Sequence, residues 1–357
     1  MSKHTNIQWC HSTVNPVMGC DGCELWPSSP AQVMAGIKTA LKAASATGTQ
    51  NQADAESACA DLERLMRGRR FSDIYRSRCS LANAIPATML QLRETVDTVI
   101  RSKADCYAGL IGTNRAGHPG YAECFEVPKV FPGRMREAAN WPSPTADELA
   151  PKPWLAGLPR LIFISDMGDA LSAGIPLAYL DQEIIRNVNS PPGRHHLWLW
   201  LTKRPSRMAR FGNWLTRRGV AWPENLVAMT TVTSARTLGR MDALLEVPSR
   251  FKGVSLEPLF EPVAIPLTGI DWVIVGGGSD VLAKPFHVEW ALELRERCKA
   301  AGVAFFLKQM GKNPFFRGQP LSLANRHGGD WAEWKGRWKT RQLPAGFYAA
   351  SPAAPSI

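Results

Sequence analysis

The chain lacks a long apolar run and an apolar N-terminal segment. Its longest candidates, such as residues 196–201, have the length of a strand and fall well short of the roughly 20 residues that a membrane-spanning helix needs. Residues 1–6, which read Met-Ser-Lys-His-Thr-Asn, contain no secretory signal. We therefore expect a cytoplasmic protein without a membrane partner, in which eight cysteines stay reduced and available to metal instead of forming disulfides.

The familiar phosphate-binding loops are also missing. The sequence contains neither a GxGxxG fingerprint nor a Walker loop, so it does not indicate a Rossmann domain or a P-loop nucleotidase. A run of three glycines, Gly276, Gly277 and Gly278, follows an apolar segment that ends at residue 275. Without side chains, this run lets either a ligand or another stretch of backbone approach closely, and both explanations stay open.

Acidic residues are too few to balance the basic ones. The chain has 42 lysines and arginines against 31 aspartates and glutamates, a formal net charge of +11. Such an excess favours a polyanionic partner, a nucleic acid or a nucleotide, although a solvated basic surface explains it as well. Trp331, Trp334 and Trp338 lie among C-terminal cations and are suited either to stacking on bases or to docking on the fold, which we favour.

An alternating pattern of elements predicts the fold. From about residue 159, short apolar runs alternate with amphipathic stretches, which is typical of parallel βαβ units. The fold class is therefore α/β, a full or partial (β/α) TIM-type barrel. We expect strands at residues 6–9, 160–165, 196–202, 225–232, 251–256, 270–275 and 303–308, with one more near 125–131, and helices at 176–189, 206–218, 236–246 and 287–301.

The segment at residues 31–103 differs from the rest in composition. It is rich in Ala, Arg and Gln and helical in period, so we interpret it as a helical insertion after the first strand, with a flexible turn at 43–52. Residues 1–30 then hold the first strand and a cysteine loop. Residues 104–344 form the remainder of the barrel, and residues 345–357 form a flexible tail.

In parallel α/β folds the reactive groups follow the carboxyl ends of the strands. Polar residues or glycines stand at nearly every such position. The candidates that share this placement and suit a ligand are Ser165, Asp166, Lys203, Arg204, Glu257, Gly276, Gly277, Gly278 and Lys308. Lys203 and Arg204 would bind a carboxylate or phosphate, or form a salt bridge to Asp166 or Glu257.

Three cysteines are the strongest candidates for metal ligands. Cys20 and Cys23 are two residues apart beside glycines, a spacing that lets two thiolates converge on one metal. Cys106 stands far along the chain in a similar context. Three ligands would leave an iron–sulfur cluster with one open iron. A zinc site made of Cys10 and His11 with Cys20 and Cys23 is the alternative.

Eight ordered motifs resemble one family. They are Asn15-Pro-Val-Met-Gly-Cys20, Cys106-Tyr-Ala, Ile164-Ser-Asp-Met-Gly-Asp169, Leu201-Thr-Lys-Arg-Pro205, Val254-Ser-Leu-Glu-Pro258, Asp271-Trp-Val-Ile-Val-Gly-Gly277, Phe306-Leu-Lys-Gln309 and Gly328-Gly-Asp-Trp-Ala-Glu-Trp334. Together they resemble the phage-associated three-cysteine-motif family of unknown function, whose genes often lie beside a three-Cys-motif partner protein. A phage-encoded chain would work in the host cytoplasm, and the partner protein is a candidate partner here.

The resemblance implies a radical-SAM-like barrel with a [4Fe–4S] cluster on three cysteines and S-adenosylmethionine at its open iron. Cys20 and Cys106 match the ends of the family's cysteine motif. We assign Cys23 as the third ligand because its spacing brings its sulfur close to that of Cys20. Family members usually carry the three cysteines in one short loop, so the insertion becomes an excursion whose two ends return to the cluster.

If such a cluster forms, the position of the candidate residues at the strand ends suggests their roles. Ser165 or Asp166 would hold the methionine amino group, Lys203 or Arg204 its carboxylate, and the glycine run would admit the adenosine. The expected function is a radical-SAM-type enzyme acting on a nucleic acid or nucleotide. The alternative function is a zinc-containing protein that binds or processes nucleic acid without radical chemistry.

Overall fold

Seven short, mostly apolar segments form one parallel sheet in the computed structural model, which describes residues 1–46, 52–86, 89–280 and 282–349. The strands neighbour one another in chain order, and each adjacent pair is parallel. The sheet curls into a half-barrel, compatible with the partial form of the predicted barrel. Its strands are β1 (Ser12–Val14), β2 (Arg160–Ile164), β3 (His196–Thr202), β4 (Leu226–Thr231), β5 (Lys252–Leu256), β6 (Trp272–Gly276) and β7 (Ala304–Gln309).

The helices alternate with these strands or fill the segment between β1 and β2. In chain order they are α1 (Pro30–Ala46), α2 (Gln52–Met66), α3 (Phe71–Arg76), α4 (Arg78–Asn83), α5 (Leu90–Ser102), α6 (Tyr107–Asn114), α7 (Arg134–Ala139), α8 (Ala146–Leu149), α9 (Leu177–Leu180), α10 (Arg186–Val188), α11 (Pro205–Arg217), α12 (Arg240–Leu245), α13 (Val288–Ala301) and α14 (Ala345–Ala349). A π-helical turn, Asp181–Ile185, joins α9 to α10. Among the described residues, no helix is long and apolar enough to cross a membrane.

Small elements complete the fold. Two-residue and three-residue strands occur at Val17–Met18, Lys129–Val130, Phe286–His287, Pro314–Phe316 and Gln319–Pro320. Short 3₁₀ turns occur at Pro153–Leu155, Gly193–His195, Ala235–Thr237, Trp331–Glu333 and Gly336–Trp338. The extra barrel strand expected near residues 125–131 was wrong, because the only strand there is Lys129–Val130 and it lies outside the seven-stranded sheet.

The first strand lies later than predicted. Residues 6–9 are not a strand, and β1 begins at Ser12. The buried ammonium group of Lys152 donates hydrogen bonds to the carbonyl oxygens of Thr5, Ile7 and Cys10 at 2.5–2.7 Å. These carbonyls are therefore occupied by a side chain and do not form a ladder with a neighbouring strand.

The two faces of the sheet are both apolar, which explains the near-continuous hydrophobic strands. Ile162 and Ile164 belong to the large cluster that the helices cover. Leu161 and Phe163 belong to a second cluster, which lines the inner face of the half-barrel. This inner cluster is completed by residues from outside the sheet, namely Trp9, Cys10, Leu155, Leu158, Leu343 and Phe347.

The C-terminal segment is part of the fold up to Ala349. Residues 340–342 pair with β7, and α14 follows them. Phe347 is fully buried, with its ring 5.4 Å from that of Phe251 and 5.6 Å from that of Trp272. The prediction of a flexible tail is therefore wrong for residues 345–349, since an aromatic anchor holds α14. Residues 350–357 lie outside the described part of the chain.

The C-terminal tryptophans dock on the fold, as we favoured. Arg341 is surrounded by Trp154, Phe306, Trp331 and Trp334, with its guanidinium carbon 4.1–5.7 Å from their ring centroids. The same guanidinium donates to three backbone carbonyls. These indole faces therefore contact a cation of the protein itself. The pattern of aromatic and basic residues thus stabilises the fold.

Residues Gly19–Lys129 form a separate compact unit, and residues 1–18 with 130–357 form the other. The predicted insertion at 31–103 is helical, comprising α1 to α5, but the unit also includes the Cys20 loop, α6 and residues up to 129. Part of the predicted turn at 43–52 lies outside the described residues. This helical unit has 13 basic and 12 acidic residues, so the excess positive charge belongs to the half-barrel unit.

The side chain of Arg160 forms hydrogen bonds to several segments of the half-barrel unit. Its side chain is fully buried and donates to the Pro142 carbonyl at 2.6 Å, the Ser12 hydroxyl at 2.9 Å and the Glu148 carboxylate at 2.7 Å. Arg160→Met removes the guanidinium that pairs with Glu148 and leaves the Pro142 carbonyl and the Ser12 hydroxyl without this donor, so we expect a loss of about 2–4 kcal/mol in the free energy of unfolding. Urea denaturation measures this change in the free energy of unfolding. The exposed Arg194→Met should change stability by less than about 0.5 kcal/mol, and equal effects of the two would contradict this assignment.

Candidate active site and metal centre

The inner face of the half-barrel changes from apolar to polar toward the carboxyl ends of its strands. Side chains two residues apart in a strand share a face, so Ser165 follows the inner Leu161 and Phe163, and Lys308 follows the inner Phe306. The same alternation gives a polar layer around the rim, whose members are Thr13, Ser165, Lys203, Thr231, Ser255, Glu257 and Lys308. Because all seven strands are parallel, these residues share one edge of the sheet.

Ser165 is the most unusual residue of the rim. Its φ of 73° lies in the left-handed region, which is costly for a residue with a Cβ. Its Oγ is buried and has no hydrogen-bond partner among the described residues. Strain and an unsatisfied hydroxyl at a strand end together mark a position suited to a ligand.

Asp166 lies beside it and is anchored by Asn15. The Asn15 amide donates to Asp166 Oδ1 at 2.5 Å, while Asn15 Oδ1 accepts from the Met167 amide at 2.9 Å. Burial raises the pKa of Asp166, and the hydrogen bond from Asn15 opposes that rise. The carboxylate is thus oriented by β1 and the loop after β2, an arrangement that suits it to holding an ammonium group.

Arg204 forms a salt bridge with Asp169, whereas the salt-bridge alternative named Asp166 or Glu257 as the partner. Its guanidinium lies 2.8 Å from Asp169 Oδ2. Asp169 also accepts from the Thr202 hydroxyl at 2.9 Å and from the Lys203 amide at 3.2 Å. Asp169 therefore joins the loop after β2 to the end of β3, and it holds the guanidinium of Arg204 and the backbone of Lys203.

Glu257 and Lys308 form the second ion pair of the rim. Lys308 Nζ lies 2.6 Å from Glu257 Oε1, and the two side chains are 17% and 15% exposed. They extend from the ends of β5 and β7, on either side of β6. The pair places opposite charges next to the glycine run that follows β6.

The glycine run mainly allows other parts of the protein's own chain to approach closely. A Cβ at Gly277 would overlap the carbonyl of Met310, and one at Gly276 would lie 3.3 Å from the Glu257 and Gln309 side chains. Gly278 has ordinary room, with its nearest neighbour at 3.4 Å. The tight-turn explanation therefore accounts for Gly277, whereas a Cβ at Gly278 would make only ordinary van der Waals contacts.

This difference between neighbouring glycines gives a matched pair of variants. Gly277→Ala should destabilise the protein by about 2 kcal/mol or more, since backbone atoms cannot move aside as a flexible side chain does. Gly278→Ala should cost less than about 1 kcal/mol. Thermal unfolding of both variants measures the difference. A tolerated Gly277→Ala would show that the loop after β7 does not pack as described.

The loop of Cys20 and Cys23 is shaped by glycines and backbone hydrogen bonds. Gly19 and Gly22 have φ values of 88° and 95°, in the left-handed region that glycine adopts readily. The Cys20 amide donates to the Phe125 carbonyl at 2.7 Å. Cys23 and Trp26 exchange backbone hydrogen bonds at 2.9 and 3.2 Å, which closes the loop.

Cys106 begins α6 and lies against the same loop. It is the N-cap of the helix, and its sulfur accepts from the Gly109 amide at 3.4 Å. The positive end of a helix favours a thiolate there. A Cβ at Gly109 would overlap the indole of Trp26, so the first turn of α6 packs directly on the loop that carries Cys20 and Cys23. Two cysteine segments more than 80 residues apart are thereby held together within one unit.

Glu126 fixes this arrangement, and sequence reasoning missed it. Its carboxylate accepts from Trp26 Nε1 at 2.8 Å, from the Ser72 amide and hydroxyl at 2.7 Å each, and from Cys124 Sγ at 3.0 Å. One acidic group thus joins the cysteine loop to α3 and to the segment after α6. Nothing in the local sequence marks Glu126, because three of its four donors come from two distant segments, those of Trp26 and Ser72.

The donor chemistry of Cys20, Cys23 and Cys106 fits an iron–sulfur cluster. In the part of the chain that the structure describes, no three Cys, His, Asp or Glu side chains converge closely enough to hold a single metal ion. A mononuclear zinc requires such convergence, with sulfur atoms about 2.3 Å from one ion. In a [4Fe–4S] cluster each thiolate binds a different iron, so its ligands stand farther apart and two adjacent loops are suitable carriers.

Cys10 and His11, the other half of the zinc alternative, are structural residues. Cys10 is fully buried in the inner apolar cluster, and burial raises the pKa of its thiol to about 12. His11 Nδ1 accepts from the Leu161 amide at 2.9 Å, and burial lowers the pKa of the ring to about 3. Both residues hold β1 against β2, which weighs against this ligand set.

The fold and site define an α/β half-barrel protein with a polar rim and a cysteine-bearing helical unit. Over residues 97–335 the chain matches the family described as "Protein of unknown function (DUF5131)". Since this match spans more than half of the chain, the protein belongs to that family. The matched region includes Cys106 and every rim candidate from Ser165 to Lys308, and it begins after Cys20 and Cys23. No curated protein and no solved structure matches the chain.

Proposed function

We propose that this protein is a radical-SAM-type enzyme whose [4Fe–4S] cluster is bound by Cys20, Cys23 and Cys106 and which acts on a nucleic acid or nucleotide. When bound, the cluster supplies the electron that cleaves S-adenosylmethionine into methionine and a 5′-deoxyadenosyl radical. The observation that carries the proposal is the packing of Gly109 on Trp26, which joins the Cys106 helix to the Cys20 and Cys23 loop.

The rim residues supply binding and orientation in this proposal. Asp166, held by Asn15, and the unsatisfied hydroxyl of Ser165 are suited to the methionine ammonium group. Lys203 is suited to its carboxylate, and Arg204 supports that role through Asp169. Gly276, Gly277 and Gly278 border the adenosine, with the Glu257 and Lys308 pair beside them. Below the rim, the inner apolar cluster excludes water.

The excess positive charge of the half-barrel unit supports a phosphate-bearing substrate. The half-barrel unit carries 29 basic and 19 acidic residues, so the polyanion preference of the whole chain resides in the unit that also holds the rim. A phosphate-bearing substrate would be concentrated at such a surface by electrostatic attraction. A three-Cys-motif protein is the proposed protein partner, on the resemblance alone.

The ligand set is tested by single cysteine variants. After anaerobic reconstitution, Cys20→Ala, Cys23→Ala and Cys106→Ala should each lose most of the visible absorbance and EPR signal of the cluster, because a cluster with two protein ligands is poorly held. Cys79→Ala removes an exposed thiol of α4 and is the matched control, which should retain the full signal. A Cys106→Ala protein with an undiminished cluster would reject the proposed set.

The rim assignment is tested separately by binding of S-adenosylmethionine. Asp166→Asn keeps the size of the side chain and removes its charge, so the reconstituted variant should keep its cluster and bind S-adenosylmethionine about 10-fold more weakly, by equilibrium dialysis. Asp242→Asn, on α12, changes the same charge elsewhere and should bind normally. Equal affinity of the Asp166 variant and the unaltered protein would remove Asp166 from the site.

The second candidate function, a zinc-containing nucleic-acid protein, is favoured by one observation, the two-residue spacing of Cys20 and Cys23. It predicts zinc in the purified protein and no 5′-deoxyadenosine under reducing conditions. Formation of 5′-deoxyadenosine by the reconstituted protein would exclude it.

A further inference from the structure

Three backbone segments meet beyond the carboxyl ends of β6 and β7. The Lys312 amide donates to the Gly278 carbonyl at 2.9 Å, and the Gly311 amide donates to the His327 carbonyl at 3.0 Å. A Cβ at Gly311 would lie 2.6 Å from the Gly278 carbonyl oxygen, and one at Gly328 would lie 2.9 Å from the Gly311 carbonyl oxygen. Glycine is thus required for these segments to approach, and the resulting structure is closely packed.

This junction, formed by residues 277–278, 310–312 and 326–328, is rich in cations. Lys312 and Arg326 are exposed, and among the described residues neither forms an ion pair. Lys308 is adjacent and paired with Glu257. The nearby Asp280 accepts from the Leu282 amide at 2.8 Å. Within the described ranges, the charges of Lys312 and Arg326 therefore have no carboxylate partner at this end of the half-barrel.

His327 adds a hydrogen-bond donor. Arg326 Nε donates to His327 Nε2 at 2.9 Å, so the proton of the neutral ring is on Nδ1. Burial lowers the pKa of His327, and the charges of Arg326, Lys312 and Lys308 lower it further, so the ring is neutral at pH 7. Nδ1 is buried and has no partner among the described residues. A buried donor of this kind costs free energy unless a ligand accepts its hydrogen bond.

We propose that Lys312, Arg326 and His327 form a binding site for a phosphate group of a nucleotide substrate. Loops after the last strands of α/β barrels are a favourable place for phosphate. Here the donors are side chains, because the backbone amides of Gly311 and Lys312 bond to carbonyls within the junction. The proposal names the substrate class of the rim and in that respect rests on the proposed function. The phosphate could belong to a free nucleotide or to a nucleic-acid strand, and both present the same group to the three residues.

The experiment measures binding of a fluorescent single-stranded 12-nucleotide DNA to the full-length protein by anisotropy, at several salt concentrations. Unlabelled adenosine 5′-monophosphate and inorganic phosphate serve as competitors. Lys312→Ala and Arg326→Ala should each weaken binding about 5- to 10-fold and reduce the salt slope by about 0.7 to 1. His327→Gln should weaken binding while leaving the slope unchanged, since no charge is removed. Lys299→Ala, an exposed cation on α13, is the matched control and should behave as the unaltered protein.

Competition distinguishes the sources of the phosphate. Displacement of the strand by adenosine 5′-monophosphate identifies a site for one nucleotide, and resistance to it combined with loss of strand binding in the Lys312 and Arg326 variants identifies a strand backbone; both support the proposal. Unchanged affinity and slope in a Lys312→Ala, Arg326→Ala double variant would overturn it, as would the absence of binding of both the strand and adenosine 5′-monophosphate.

A further arm separates this inference from the radical chemistry. Cys106→Ala should bind the strand with the affinity of the unaltered protein, because the phosphate site lies in the half-barrel unit. Normal binding without cluster formation would leave the phosphate site standing if the proposed cluster fails. Loss of strand binding in Cys106→Ala, with the fold retained by circular dichroism, would contradict a site formed by the half-barrel alone.

Discussion

The aromatic packing inside the half-barrel is the constraint on which the polar rim depends. Seven strands do not close a barrel, so the inner face must be covered by side chains from elsewhere in the chain. Trp9 provides much of this cover, with its ring 4.6 Å from that of Phe163 and 6.1 Å from that of Trp272. Phe347 packs on Trp272 from the C-terminal side. This apolar packing excludes water from the space beneath the rim. It also supports Ser165 in its strained, left-handed conformation.

The helical unit brings cysteines together from distant parts of the chain. Trp26 does so by packing against α6, and Glu126 contributes hydrogen bonds to the cysteine loop. The carboxylate of Glu126 accepts from four donors on Trp26, Ser72 and Cys124, so separating the cysteine loop from α3 would break these hydrogen bonds. The length of the excursion between Cys23 and Cys106 is then compatible with one cysteine centre.

Much of the half-barrel could be predicted from sequence, because each strand is a local apolar run and parallel topology places all carboxyl ends at one edge. Predicted strands such as 160–165 and 303–308 agree closely with β2 and β7. The errors came from long-range contacts. Residues 6–9 resemble a strand, but their backbone is bound by Lys152, more than 140 residues away. The partner of Arg204 and the role of Glu126 likewise depend on three-dimensional neighbours that no local pattern records.

Three thiols of this family member are proposed to hold an iron–sulfur cluster. Elemental analysis of protein purified without oxygen tests this proposal most directly, by counting iron, acid-labile sulfide and zinc per chain. A [4Fe–4S] cluster predicts about four iron atoms and about four sulfides per chain, with little zinc. About one zinc per chain, with neither iron nor sulfide after anaerobic purification and reconstitution, would contradict it.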